Sequence, residues 1–217
     1  MKTPSLKYLV KEPATRNKQT ALLILLHGYG SNEKDLFSFA AELPENMVIV
    51  SAQAIQPLGF ESHAWYSLHF DNNDGKFFDI PEALAARETV ASFVDEMQDQ
   101  YAISPQKTFL LGFSQGAILS YAISITYPEK VQKVIALSGY ISGELLPKNL
   151  VENQYQALDF FLSHGSADQV IPVSLARESS PLLSQHKIRH QYKEYPVGHG
   201  VSPQNFFDLR EWISARM

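Results

Sequence analysis

Apolar residues along this chain gather into short unbroken runs, and the stretches between the runs carry apolar positions at helical spacing. Ala21 to Leu26 is continuously apolar and stops at His27-Gly28-Tyr29-Gly30. A run of that length, closed by glycines, reads as a strand buried on both faces, as in a parallel sheet. Met47 to Ser51, Thr108 to Gly112, Val134 to Leu137 and Phe160 to Leu162 read the same way. Arg189 to Tyr195 alternates, as a strand nearer an edge does, and Lys7 to Val10 reads as a further antiparallel edge strand. Helices are predicted at Asn32 to Leu43, Pro81 to Tyr101, Gln115 to Tyr127, Val173 to Ser184 and Pro203 to Ala215, with Pro181 expected to stop or kink the fourth. Strand and helix alternate from end to end. That order predicts an α/β fold, a mostly parallel sheet with helices on both faces, in a single domain spanning residues 1–217.

Two stretches break the rhythm. Gln53 to Ile80 holds Phe60, Trp65, Tyr66, Phe70, Phe77 and Phe78, and Ser138 to Asp159 is a second long connection. Long connections inside a domain are usually functional, so both read as parts of a binding site. The aromatic cluster reads equally well as a satellite core or as a substrate pocket. With no cysteine, the chain excludes disulfides, thiolate catalysis and cysteine-based zinc sites. A net charge of −5 without a basic block argues against nucleic acid as a partner. The first residues lack the apolar core of a secretory signal, and no run approaches the ~20 residues of a membrane helix. The expectation is therefore a cytoplasmic protein without stable membrane insertion, either a monomer or a homodimer.

The chemistry is concentrated at Gly112-Phe113-Ser114-Gln115-Gly116, which follows a buried strand and opens a helix. This is a nucleophile elbow, G-x-S-x-G, in the strand-turn-helix context it requires. The turn projects the Ser114 hydroxyl above the sheet edge, and side chains two residues to either side would collide with their neighbours, so both are glycine. A serine hydroxyl is a weak nucleophile at neutral pH and needs a base. Partners follow in the order acid, then histidine. Asp168 lies in the loop after the Phe160 strand, and His199 lies in the loop after the Arg189 strand. Both loops leave the carboxyl edge of the sheet, where open α/β sheets bind ligands. His199 would act as the base and Asp168 would orient it.

An oxyanion hole needs two donors, read as the main-chain N–H groups of Gln115 and Tyr29. His27, at a strand end, suits a structural hydrogen bond better than catalysis. His186 and His190 belong to the opposite edge. Asp159 comes before its strand and Glu178 lies within a helix, so neither competes with Asp168. His63 and His69 lack a carboxylate at ligand spacing, and no metal is expected. Gly28-x-Gly30-x-x-Glu33 fails the dinucleotide fingerprint, so no cofactor is expected either.

These motifs, with Ala64-Trp65-Tyr66, Leu137-Ser138-Gly139-Tyr140, His164-Gly165 and Val170-Ile171-Pro172, run through nearly the whole chain. Together they resemble the phospholipase/carboxylesterase family of α/β-hydrolases, which includes acyl-protein thioesterases and small carboxylesterases. The resemblance implies a lidless serine hydrolase of short- or medium-chain acyl esters or thioesters. It also implies that Tyr29 and Gln115 supply the oxyanion amides and that Trp65 lies near the acyl pocket. The chain departs from the thioesterases at Ser31-Asn32-Glu33, where they carry a Gly-Asp or similar pair. Depalmitoylation and lysophospholipase activity are therefore not carried over. A hydrolase-fold binding protein that has lost catalysis, or a small peptidase with the same triad, are the other readings.

Overall fold

Seven strands form one sheet whose five interior strands are buried along most of their length. The computed structural model describes residues 4–70, 76–150 and 154–217. The strands are β1 (Tyr8–Lys11), β2 (Ala21–Leu26), β3 (Met47–Ala52), β4 (Gln56–Gly59), β5 (Ser62–Ala64), β6 (Leu68–Phe70), β7 (Lys76–Phe78), β8 (Thr108–Phe113), β9 (Lys133–Leu137), β10 (Asp159–Gly165) and β11 (Arg189–Tyr195). The helices are α1 (Ile80–Tyr101), α2 (Gln115–Thr126), α3 (Val173–Gln185) and α4 (Pro203–Ser214). The main sheet runs β1-β3-β2-β8-β9-β10-β11. β1 pairs antiparallel with β3 (Tyr8 opposite Ala52), and all other neighbours are parallel.

Alternate residues of the sheet feed two apolar layers. Leu22, Ile24, Leu110, Val134 and Phe160 face one way and pack with α1, α2 and Leu183 of α3. Leu23, Leu25, Leu111, Ile135 and Phe161 face the other way, toward Leu209, Trp212 and Ile213 of α4. Continuous apolar runs are what such a doubly covered sheet requires. α1 starts where the Asp79 carboxylate accepts the N–H of Glu82 (2.9 Å), and α4 starts where Ser202 Oγ accepts that of Asn205 (3.2 Å), each with proline in its first turn. The fold is that of an α/β-hydrolase, with no large lid insertion among the described residues.

Three expectations are corrected. The predicted helix at Asn32 to Leu43 is a turn followed by a short 3₁₀ helix, Leu36–Ala41. Asn32 Oδ1 takes the N–H of Lys34 (2.9 Å) and Ser31 Oγ donates to Asp35 (2.7 Å), so local side chains capture the groups an α-helix would use. α3 runs through Pro181 to Gln185, one residue beyond the expected end at Ser184, so of the two expectations for Pro181 the early stop does not occur. Asp159 is the first residue of β10, not a residue before it, and meets Arg189 (2.9 Å) and Arg216 (2.8 Å). The Gln53 to Ile80 connection, read as a long loop, holds two antiparallel hairpins, β4-β5 and β6-β7. Phe70 and Phe77, counted in its aromatic cluster, have side chains outside the described residues.

The order of pairing also fixes where a ligand can bind. β2 pairs with β3 on one side and β8 on the other, so the chain leaves β2 in one direction and later returns past it. The loops after β2 and β8 therefore diverge and open a crevice at the carboxyl edge.

Candidate active site

Ser114 stands between β8 and α2 at φ 53° and ψ −114°, a strained conformation for a residue with a side chain. Its N–H is held by Leu137 O (2.8 Å) on the neighbouring strand. Glycine at 112 and 116 is enforced by contact. A Cβ on Gly112 would lie 2.1 Å from Gly116 O, and one on Gly116 would lie 2.1 Å from Leu26 O. The first turn of α2 thus presses directly on the ends of β8 and β2.

Three loops meet above this turn. The Ser114 hydroxyl donates to His199 Nε2 at 2.9 Å, and His199 Nδ1–H donates to Asp168 Oδ2 at 2.7 Å. The other carboxylate oxygen, Asp168 Oδ1, accepts the N–H groups of Val170 (2.8 Å) and Ile171 (2.9 Å). Burial alone would raise the pKa of this carboxyl. The hydrogen bond from His199 and the two N–H groups outweigh burial and hold it below the usual carboxylate value. Phe113 packs against the His199 ring, with centroids 5.0 Å apart. The loop carrying His199 is tied to the loop carrying Asp168 by a glycine contact, since a Cβ on Gly165 would lie 2.1 Å from Gly198 O.

His27 makes two structural bonds: Nδ1–H donates to Gly28 O (2.8 Å) and Nε2 accepts from Ala54 N–H (3.0 Å). Burial lowers its pKa, which keeps the ring neutral as both bonds require. His190 lies at the opposite edge and contacts Ser180 Oγ (2.8 Å) and Ile188 O (2.9 Å). The His63 ring meets Gln53 Nε2, and His69 lies 3.9 Å from Asp79 Oδ2. Among the described residues, no three histidines or carboxylates gather as a metal site would need.

Sequence reasoning missed two residues here. The Gln115 side chain is buried and clasps the aromatic segment, its Oε1 accepting Trp65 N–H (2.8 Å) and its Nε2 donating to Tyr66 O (2.7 Å). No sequence signal marks this clasp, which joins residues about 50 positions apart. His164, wholly buried, donates from Nε2 to Ile171 O (2.8 Å) and lies 3.1 Å from Asp168 Oδ2, supporting the acid from behind.

A cavity of about 270 Å³ opens on Ser114 and His199, with Tyr66, Leu68, Phe78, Ile118, Tyr140 and Leu175 among its walls. Trp65 is fully buried and is not among those walls; its Nε1–H donates to His27 O at 2.9 Å.

A hydroxyl on a strained elbow, an imidazole that can take its proton, and a buried carboxylate that fixes the imidazole define a serine hydrolase. Ser114 attacks the acyl carbon while His199 Nε2 takes its proton and passes one to the leaving group. Water, deprotonated in turn by His199, then releases the acyl group from Ser114. The chain belongs to the phospholipase/carboxylesterase family, whose family model matches residues 9–217. It is 26% identical over 209 residues to acyl-protein thioesterase 1 of Kluyveromyces lactis, covering 89% of this chain and 90% of that one. It is 26% identical over 218 residues to a probable carboxylesterase of Oryza sativa subsp. japonica, covering 92% and 78%. The Bacillus cereus carboxylesterase structure superposes with a TM-score of 0.82 at 16% identity, over 98% of this chain and 95% of that one. A carboxylesterase from Mesorhizobium loti gives 0.82 at 20% identity, over 99% and 97%. At such identities these structures share the fold. No helix among the described residues is long and apolar enough to cross a membrane.

Proposed function

We propose that this protein hydrolyses short- to medium-chain acyl esters and thioesters, with Ser114, His199 and Asp168 as its catalytic residues. The observation that carries the reading is the cavity, whose largely apolar walls adjoin the nucleophile. At about 270 Å³ it falls just under the roughly 300–1,000 Å³ of pockets for drug-sized ligands. It suits an acyl chain of a few carbons better than a long fatty one.

The oxyanion is held by the N–H groups of Gln115 and Tyr29. Gln115 is the first residue of α2, so its N–H has no intrahelical partner. Tyr29 follows Gly28, where a Cβ would lie 3.3 Å from Ser114 Cβ, so this stretch of main chain passes close to the nucleophile. The loop is braced by Gly30 N–H to His63 O (2.9 Å) and Ser62 Oγ to Gly30 O (2.7 Å). Donors fixed in advance stabilise developing charge without reorganising. Trp65 acts as a positioning residue, anchoring the β2 loop from behind through His27 O. The reading also takes the protein to be cytoplasmic.

The test is turnover of p-nitrophenyl esters from acetyl to palmitoyl, with matched thioesters and the Ser114→Ala variant alongside. Expected is a maximum among the shorter chains, abolished in Ser114→Ala. A maximum at palmitoyl would overturn the chain-length assignment. Equal rates for the variant and the wild type would overturn the catalytic one.

A further inference from the structure

Of the three tyrosines that line the cavity beside Ser114, Tyr29 is exposed, and the other two, Tyr66 and Tyr140, carry phenols that ester hydrolysis itself does not use. Tyr66 is 1% exposed, and its hydroxyl is buried without a hydrogen-bond partner. Buried phenols ordinarily find an acceptor. Elsewhere this chain supplies one: Tyr192 donates to Glu194, Tyr195 to Asp208 and Tyr127 to Glu88, and the fully buried Tyr121 is hydrogen-bonded with Ser179.

Tyr66 is also held where it is. Its carbonyl accepts from Gln115 Nε2, and the preceding residue is bonded to Gln115 Oε1 and His27 O. Its ring packs on Phe78 with centroids 5.2 Å apart. Burial first, and then the neighbouring Tyr140, pushes its ionisation well above the ordinary tyrosine value, so it stays an O–H donor. The surrounding side chains of Leu68, Phe78, Ile118 and Leu175 offer no acceptor. A ligand that enters the cavity can bring one.

We propose that Tyr66 is a specificity-determining residue whose hydroxyl, with Tyr140 beside it, binds an oxygen carried on the acyl chain away from the scissile carbonyl. The favoured substrates are accordingly esters or thioesters of oxygenated acids rather than of plain alkyl acids. This rests on the reading above, in which the cavity receives the acyl group. A site built around a polar partner discriminates strongly against the analogue that lacks it, because its own buried group is then left unpaired.

The experiment compares kcat/KM for p-nitrophenyl hexanoate with analogues in which an ether oxygen replaces each chain methylene in turn. Wild type and Tyr66→Phe are measured together. Dividing the wild-type preference by the variant's preference cancels the intrinsic reactivity of each ester. Expected is a quotient of at least ~5 at one oxygen position, the size of one buried donor satisfied or left unsatisfied. A quotient near one at every position overturns the proposal. Ser114-dependent turnover of the plain hexanoate then leaves the hydrolase reading standing on its own. Absence of any Ser114-dependent turnover would strike that reading and the inference with it. The Tm of Tyr66→Phe is expected at or above that of wild type, since an unsatisfied hydroxyl is removed. A marked fall in Tm would mean the hydroxyl already has a protein partner, and would also overturn the proposal.

Discussion

The cleft has two unlike walls. The wall formed by β8, α2 and the β2 loop admits no extra atom at Gly112 or Gly116, where a Cβ would sit 2.1 Å from main-chain oxygen. The other wall carries Tyr66, Leu68 and Phe78 and belongs to a connection that also includes the β4-β5 hairpin, whose tip lies outside the cavity lining and is open. Gly59 has nothing within 4 Å of an added Cβ, and Phe60 is fully exposed. Glycine is needed at 112 and 116 for lack of room, and at 59 because φ is +93°. The contrast separates two tasks. Proton transfer needs atoms fixed to a fraction of an ångström, so it is placed on packed main chain. Recognition of the acyl group is borne partly by connections that can vary without disturbing the sheet.

The largest effects belong to the first wall. Ser114→Ala and His199→Ala should each lower kcat/KM for a soluble ester by at least ~10³-fold with little change in Tm, because the triad acts as a unit. Near-wild-type turnover by either variant would break the assignment. Gly116→Ala forces a methyl against Leu26 O, and we expect a loss of at least about 4 kcal/mol or failure to fold, read by thermal unfolding. An unchanged Tm would show that the elbow has slack.

Trp65 joins the walls through His27 O. Trp65→Phe leaves that buried carbonyl without its donor and should cost about 1–3 kcal/mol. A kcat that falls with unchanged KM would sharpen its positioning role, and retention of both constants would remove it.

The acid limb of stability offers a subtler contrast. Asp168 has a pKa held below the unfolded value, so its contribution is present above that value and disappears as pH falls through the lowered one. Glu194, pushed down to about 2 chiefly by the hydrogen bond from Arg177, behaves alike between about 4.5 and 2. Asp168→Asn and Glu194→Gln should each flatten the decline of Tm on acidification, the surface pair less. Unchanged slopes would mean those carboxyls titrate alike in folded and unfolded chains. Smallest of all are changes at the open tip. Gly59→Ala should cost about 1 kcal/mol from its positive φ, and Phe60→Ser should stay within about 0.5 kcal/mol and leave turnover of a soluble ester unaltered. A large loss of activity in Phe60→Ser would erase the division of tasks.

The unequal walls also explain what could be read from the sequence. Ala21 to Leu26 and Thr108 to Phe113 announce themselves because both faces of those strands are covered. The elbow and its partners are legible because strand order alone brings the loops holding Ser114, Asp168 and His199 to one edge. The hairpins of residues 53–80 are not legible, since strands of three or four residues carry too little periodicity. The 3₁₀ segment after Asn32 escaped because Asn32 and Ser31 bond locally instead of capping a helix. The clasp of Gln115 on Trp65 and Tyr66 spans 50 and 49 positions, and no local pattern encodes it.

Ser114 and His199 lie 85 positions apart, and Asp168 and His199 lie 31 apart, yet all three depend on β8, β9, β10 and β11 standing side by side. A growing or half-assembled chain consequently owns an alcohol with no base to awaken it. Such a chain lacks its triad, and with it most of its activity toward esters, until its last strand docks. Catalysis is thereby a built-in certificate of completed folding, and recovery of ester turnover after dilution from denaturant should trail, never precede, the return of the native sheet.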